Sequence, residues 1–186
     1  MIKCKNVSFS YGKKKVLTDF TLEINQGDVI CLFGESGCGK TTVLRLILGI
    51  AKPKNGEIIF EKPLKPSVVF QENRLIPFKT VVENIKIFGA DEDKIIENLK
   101  ALGIEETAEM YPDKLSGGMQ RRAAIARALS LDFDFLVLDE PFTGLDGENI
   151  KSAAEHILKT ANGKPIILVT HSLEEAALFG AEIINM

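Results

Sequence analysis

The chain has 186 residues, 45% of them hydrophobic and 26% charged, which is the composition of an ordered globular protein. With 23 basic against 26 acidic side chains the net charge is −3, which excludes a strongly basic nucleic-acid binder or a polybasic membrane module as the starting reading. No apolar run approaches the roughly 18 residues of a membrane-spanning helix, and the first five residues lack the apolar core of a secretory signal. Cys4, Cys31 and Cys38 have no metal-type spacing, and their odd number fits reduced thiols. The expectation is a soluble, cytosolic chain that meets a membrane only through a partner.

The first candidate strand opens the chain, where Ile2, Cys4, Asn6 and Ser8 interleave imperfectly with Lys3, Lys5, Val7 and Phe9. Residues 16–24 alternate better, with Leu17, Phe20, Leu22 and Ile24 set among Thr18, Asp19, Thr21 and Glu23. The Tyr11-Gly12 turn between the two predicts antiparallel pairing. A second turn at 25–28 leads into a short buried run, 29–33. Over 40–50, Val43, Leu44, Ile47 and Leu48 recur at helical spacing, with Gly49 and Pro53 in the stop region. Strand-like pieces at 57–60 and 67–70 follow. Residues 72 to 130 predict a mostly helical stretch with segments 80–88, 92–102 and 118–129, broken at Pro112. The remainder alternates: strand 133–138, helix 148–161, strand 165–169, helix 173–179 and a last strand at 181–185. Such alternation predicts an α/β fold with a mostly parallel sheet. One domain is expected. Residues 1–71 and 131–186 make its core with a small N-terminal antiparallel β-lobe, and 72–130 form an inserted helical lobe.

Gly34-Glu35-Ser36-Gly37-Cys38-Gly39-Lys40-Thr41 fits G-x-x-x-x-G-K-[ST], after a buried run and before an amphipathic helix. The glycines let successive N–H groups curl toward phosphate oxygens, and the helix N-terminus adds positive potential. In such a P-loop, Lys40 would contact the β- and γ-phosphates and Thr41 would offer a hydroxyl to Mg²⁺. The competing reading is a glycine-rich strand–helix turn. Phe135-Leu136-Val137-Leu138 ends in Asp139 and Glu140 before Pro141. Asp139 would hold Mg²⁺ and Glu140 would accept a proton from the attacking water; alone, the pair reads equally well as a solvated strand end.

Leu115-Ser116-Gly117-Gly118-Met119-Gln120, whose last residue stands 19 positions before Asp139, narrows the choice. With these motifs in order along nearly the whole chain, the sequence resembles the ATP-binding-cassette (ABC) ATPases, whose signature reads LSGGQ or a close variant. Two glycines and a serine at a helix N-terminus suit an anion independently, with Ser116 as the cap. The resemblance implies that this segment serves ATP held by an opposite subunit, two cassettes enclosing two nucleotides head to tail. It implies nucleotide contacts from Tyr11, stacking on adenine, from residues 34–41 and Thr42, and from Ser116, Gly117, Gly118 and Gln120. Gln71, Thr41 and Asp139 are implied at Mg²⁺. Glu140, His171, Gln71 and Lys40 are implied in the chemistry, His171 at the γ-phosphate. Gly144-Leu145-Asp146 matches a loop that crosses the dimer interface.

His156, within a helix, is read as surface. Arg121, Arg122 and Arg127 are read as solvation or interdomain pairing, and Cys4 and Cys31 as small core residues. By comparison with transporter cassettes the β-lobe is trimmed between Gly56 and Gln71, and the chain stops at Met186, one strand after His171, which bears on dimer stability. The implied function is ATP hydrolysis coupled to transport, with ATP and Mg²⁺ as cofactors. The implied partners are a transmembrane permease docked on residues 72–78, a second cassette and, through the permease, a solute-binding protein. No nucleic acid is expected. Residues 72–85 look like importer cassettes of the nitrate, sulfonate and taurine group. The alternative is a non-transport ABC ATPase acting on a soluble assembly, although the chain shows neither tandem cassettes nor coiled-coil insertions.

Overall fold

The computed structural model describes residues 2–186. In chain order the strands are β1 (Ile2–Tyr11), β2 (Lys14–Ile24), β3 (Val29–Phe33), β4 (Asn55–Phe60), β5 (Pro66–Val69), β6 (Phe135–Asp139), β7 (Ile166–Val169) and β8 (Glu182–Asn185). The α-helices are α1 (Lys40–Ile47), α2 (Val81–Lys86), α3 (Glu92–Ala101), α4 (Gly117–Ser130), α5 (Gly147–Ala161) and α6 (Leu173–Leu178). The three-stranded sheet has the order β2-β1-β4 and the five-stranded sheet the order β5-β6-β7-β3-β8.

The imperfect alternation of the first strand has a physical cause. β1 pairs antiparallel with β2, and its register shifts between Cys4 and Val7, between Val7 and Phe9, and between Phe9 and Ser10. Asn6 takes φ 47° at the first shift, so the buried side chains run Ile2, Cys4, Val7 instead of keeping period two. The bulge presses on β4, where a Cβ on Gly56 (φ 74°) would lie 2.3 Å from the carbonyl oxygens of Lys5 and Asn6. Only glycine fits that position.

The larger sheet is parallel at every pairing. Both faces of its central strands are covered, and all of Phe135–Asp139 and Ile166–Val169 is buried. Alternate residues go to different cores. Leu136, Leu138 and Leu168 pack with α3, α4 and α5, while Phe135, Val137, Ile167 and Val169 pack with α1 and the antiparallel sheet. Register then places the chemistry. Leu32 and Asp139 both pair with Val169, and Leu138 pairs with Val69, so β3, β5, β6 and β7 end on one edge. Loops at carboxyl ends of parallel strands form the crevice where such folds bind ligands.

The helices follow their local signals. Thr80 and Glu83 form a reciprocal capping box on α2, and Asp91 caps α3. α1 stops at Ile47, short of residue 50, because Gly49 turns left-handed at φ 69°. Residues 72–79 are irregular, and the fully buried Asn84 pins them. Its Oδ1 accepts from the Ile76 N–H at 2.6 Å, and its Nδ2 donates to the carbonyls of Ile76 and Lys79.

Candidate functional site

The loop between β3 and α1 is folded around its own lysine. Lys40 is 6% exposed and its Nζ donates to the carbonyls of Gly34 at 2.7 Å and Glu35 at 2.9 Å, with Cys38 Sγ 3.8 Å away. Gly39, at φ 120°, takes a backbone conformation that strains any residue with a side chain, and a Cβ there would crowd Leu17 Cδ2 at 3.0 Å. It is the N-cap of α1 without a side-chain cap, and no acidic residue occupies the first turn, so backbone donors at this end remain available to an anion.

At the end of β6 the backbone turns sharply. Asp139 is 7% exposed, and burial together with the neighbouring Glu140 pushes its carboxyl upward, against the pull of Arg121, Lys40 and Arg45. Glu140 has φ 48°, a left-handed conformation unusual for a residue with a side chain. Its N–H donates to the Val169 carbonyl at 2.8 Å, and its carboxylate meets two other loops. His171 Nε2 lies 2.9 Å from Oε1, and Gln71 Nε2 donates to Oε2 at 3.3 Å. The structure therefore brings Gln71, Glu140 and His171 together from positions distant in sequence.

Thr170, which sequence reasoning missed, secures the histidine loop. It is buried, its hydroxyl donates to a Glu175 carboxylate oxygen, and it accepts from the Ser172 N–H at 3.1 Å. The signal was present as Ser172-x-x-Glu175, a capping pattern directly after a buried strand.

A cavity of about 410 Å³ gathers Ser36, Gly37, Lys40, Thr41, Thr42, Gln71, Glu140 and His171, with Tyr11 at its mouth. The Tyr11 ring stands edge-on to Phe9, with centroids 4.9 Å apart, and its hydroxyl accepts from Arg45 at 3.1 Å. The bond from Arg45, and then that from Thr42, hold this phenol below its ordinary pKa. Thr41, Gln71 and Asp139 line an adjoining cavity together. Their hydroxyl, amide carbonyl and carboxylate form an all-oxygen set that fits a hard divalent cation such as Mg²⁺, held largely through substrate phosphates.

The second glycine segment lies elsewhere. Ser116 Oγ accepts from the Met119 N–H at 3.2 Å and caps α4, with Ser116 and Gly117 exposed and Gly118 packed where a Cβ would sit 3.2 Å from the Gly144 carbonyl oxygen. Neither Ser116, Gly117 nor Gly118 lines the lysine-containing cavity. Gln120, expected at the nucleotide, has a structural task within this chain. Its amide nitrogen faces the chain's own carbonyls, donating to Pro112 at 2.9 Å and Leu115 at 3.4 Å, and so braces the turn before α4.

His156 is not a plain surface residue: it is half-buried, with Nε2 2.7 Å from Asn98 Oδ1, and burial, then Lys159, pushes its pKa down. The arginines of α4, expected in solvation or interdomain pairing, take the pairing role: Arg121 donates to the carbonyls of Phe70, Asp139 and Pro141, and Arg122 Nη1 donates to Asn149 Oδ1 at 3.3 Å. Arg127 is buried and donates to the carbonyls of Asn73 and Arg74, both at 2.8 Å. Arg121 is 1% exposed, and burial lowers its pKa to about 10 against the opposing effect of Asp139 and Glu140, which leaves it cationic at neutral pH. Cys4 and Cys31 are buried thiols, that of Cys4 pushed up to about 11 by burial. Among the described residues, no helix is long and apolar enough to cross a membrane.

Residues 17–143 match the family model described as ABC transporter. The chain is 40% identical over 178 residues to an aliphatic sulfonates import ATP-binding protein of Corynebacterium glutamicum, covering 90% of this chain and 72% of that protein. It is 36% identical to a taurine import ATP-binding protein of Roseobacter denitrificans, covering 92% and 70%, and 33% identical to a nitrate import ATP-binding protein of Synechococcus elongatus, covering 94% and 70%. A solved dimeric ATP-binding cassette in a post-hydrolysis state, bound to ADP and phosphate, superposes with a TM-score of 0.88 at 31% identity, covering 100% of this chain and 94% of that one.

Proposed function

The chain belongs to the ATP-binding-cassette family of ATPases, and from that premise we propose that it hydrolyses ATP between two copies of itself to drive solute import through a separate permease. The observation that carries the catalytic part is the convergence of Gln71, Glu140 and His171 beside the loop folded around Lys40. Residues 1–186 act as one cassette, with 72–130 as its helical lobe.

Each side chain then has a task. Lys40 leaves the carbonyls of Gly34 and Glu35 for the β- and γ-phosphate oxygens, while the loop N–H groups and the start of α1 hold the rest of the chain of phosphates. Tyr11 offers its ring to adenine. Glu140 accepts a proton from the attacking water, and His171 exchanges its carboxylate partner for the γ-phosphate. Thr41, Gln71 and Asp139 would hold Mg²⁺, which when bound supplies charge neutralisation at the phosphates. Ser116, Gly117 and Gly118 present N–H groups to the nucleotide of the partner cassette, so the site is completed across the dimer. The cassette sits at the cytoplasmic face of the membrane through its permease, and a solute-binding protein delivers an oxyanion-bearing solute such as a nitrate or sulfonate.

Glu140→Gln tests the assignment. Steady-state phosphate release should fall at least about 100-fold while binding of a fluorescent ATP analogue persists, because removing a general base typically costs factors of 10²–10⁴. Turnover at the unmodified rate would overturn the role given to Glu140.

A further inference from the structure

Arg121 lies outside both phosphate-facing regions, yet its guanidinium reaches the backbone of the two segments that supply Gln71 and Glu140. Nη1 donates to the carbonyls of Phe70 at 2.5 Å and Gln71 at 3.2 Å, and to Asn73 Oδ1 at 3.3 Å. Nη2 donates to the carbonyls of Asp139 at 2.9 Å and of Glu140, and Nε donates to that of Pro141 at 2.8 Å. One planar group thus holds the peptide unit before Gln71 and the one after it. It does the same for Glu140.

Those four peptide units decide where the two side chains point. Glu140 occupies a left-handed conformation that a residue with a Cβ adopts only when its surroundings enforce it, and its carbonyl is held by Arg121 and by the Thr143 hydroxyl. A flip of either flanking peptide would swing the carboxylate away from Gln71 and His171. The five N–H donors of a guanidinium form a rigid fork, which can span two strands' worth of carbonyls; an ammonium is a compact point charge with three donors and cannot. Arg121 also stands on α4, the helix capped by Ser116, so a displacement of that helix moves the fork and both peptides with it.

We propose that Arg121 is a positioning residue for hydrolysis, which sets Gln71 and Glu140 in register and carries the position of the Ser116-capped helix to them. The proposal rests on the reading that Glu140 and Gln71 act in ATP hydrolysis.

The test uses the full chain carrying Arg121→Lys, which keeps the charge, and Arg121→Gln. In the folded variants kcat should fall at least about tenfold, as misplacement of catalytic groups does, while the Kd of a fluorescent ATP analogue changes less than about twofold. Added to Glu140→Gln, Arg121→Lys should produce no further loss, since both changes act on one step. An unchanged kcat in folded Arg121→Lys overturns the proposal, and so does a loss of nucleotide affinity that matches the loss of turnover, or full additivity in the double variant. If Glu140→Gln alone turns over ATP normally, the reading of Glu140 fails, and Arg121 is then judged on the split between kcat and Kd. Should neither variant fold, nitrogen-15 spectra of the unmodified protein decide: the Arg121 Nε–H and the Gln71 and Glu140 amides should shift together on addition of a non-hydrolysable ATP analogue with Mg²⁺. An Arg121 signal that stays fixed while the two amides move contradicts the coupling.

Discussion

The corner that holds Gln71, Glu140 and His171 and the segment of Ser116, Gly117 and Gly118 both offer polar groups suited to phosphate, but the chain completes them to different degrees. In the corner, each Glu140 carboxylate oxygen already has a partner within the chain, and Lys40 rests on its own loop carbonyls. The glycine segment caps α4, with Ser116 and Gly117 exposed and Gly118 packed against Gly144, away from the lysine-containing cavity. One region has its polar groups paired within the chain; the other leaves Ser116 and Gly117 open to solvent. Two copies arranged head to tail would remove that mismatch, since each glycine segment would meet the other chain's phosphates.

Substitutions in each region should separate the two. The largest effect is expected from Lys40→Ala, which deletes the charge proposed to meet the phosphates and should reduce phosphate release by about 100- to 1,000-fold, as loss of a major electrostatic donor does; a steady-state assay with Mg²⁺ reads it. Gln71→Ala should slow turnover by about 10- to 100-fold, with a smaller change in nucleotide Kd, because it frees one Glu140 carboxylate oxygen and leaves the proposed base in place.

Alkylation of Cys38 should block turnover, with ATP slowing the reaction, because its Sγ lies within the loop beside Lys40. Labelling followed by activity measurement reads the effect, and inhibition that persists in Cys38→Ser would place it at another thiol. Ser116→Ala should cost about 1 kcal/mol of stability as a lost helix cap, seen in a denaturant melt, and should lower turnover beyond what that small destabilisation explains. If turnover stays at the unmodified level, the segment is a cap alone.

The smallest effect concerns neither region and serves as a control. His156 is held below its ordinary pKa by burial, so the folded state prefers it neutral. Its contribution to stability is present above the unfolded pKa, near 6.5, and is lost as pH falls through that value toward the folded one. Melts at pH 5 and pH 7 should differ less in His156→Gln than in the unmodified chain, with turnover at pH 7 nearly unchanged.

The elements and the motif residues were legible because their signals are local. Short unbroken apolar runs marked β3, β6 and β7, helical spacing marked α1, and the loop glycines stood between β3 and α1. Residues whose meaning depends on distant backbone were not legible. Arg121 sits on a helix among other arginines, and only packing of α4 beneath β5 and β6 turns it toward the carbonyls flanking Gln71 and Glu140. Asn84 looked like one polar residue of an amphipathic helix until residues 76–80 folded back onto it. His156 was misread for the same reason, as its partner Asn98 lies on another helix. The bulge in β1 shows the converse, where a broken alternation recorded real geometry.

Whether a second chain's nucleotide completes the segment of Ser116, Gly117 and Gly118 is read from the mass of the Glu140→Gln protein in solution. Light scattering after size exclusion, with ATP and Mg²⁺ in the buffer, should give twice the 20.5 kDa chain mass, and the monomer mass without ATP or with Ser116→Arg added. A monomer in the presence of ATP, or a dimer that forms equally well with Ser116→Arg, would contradict it.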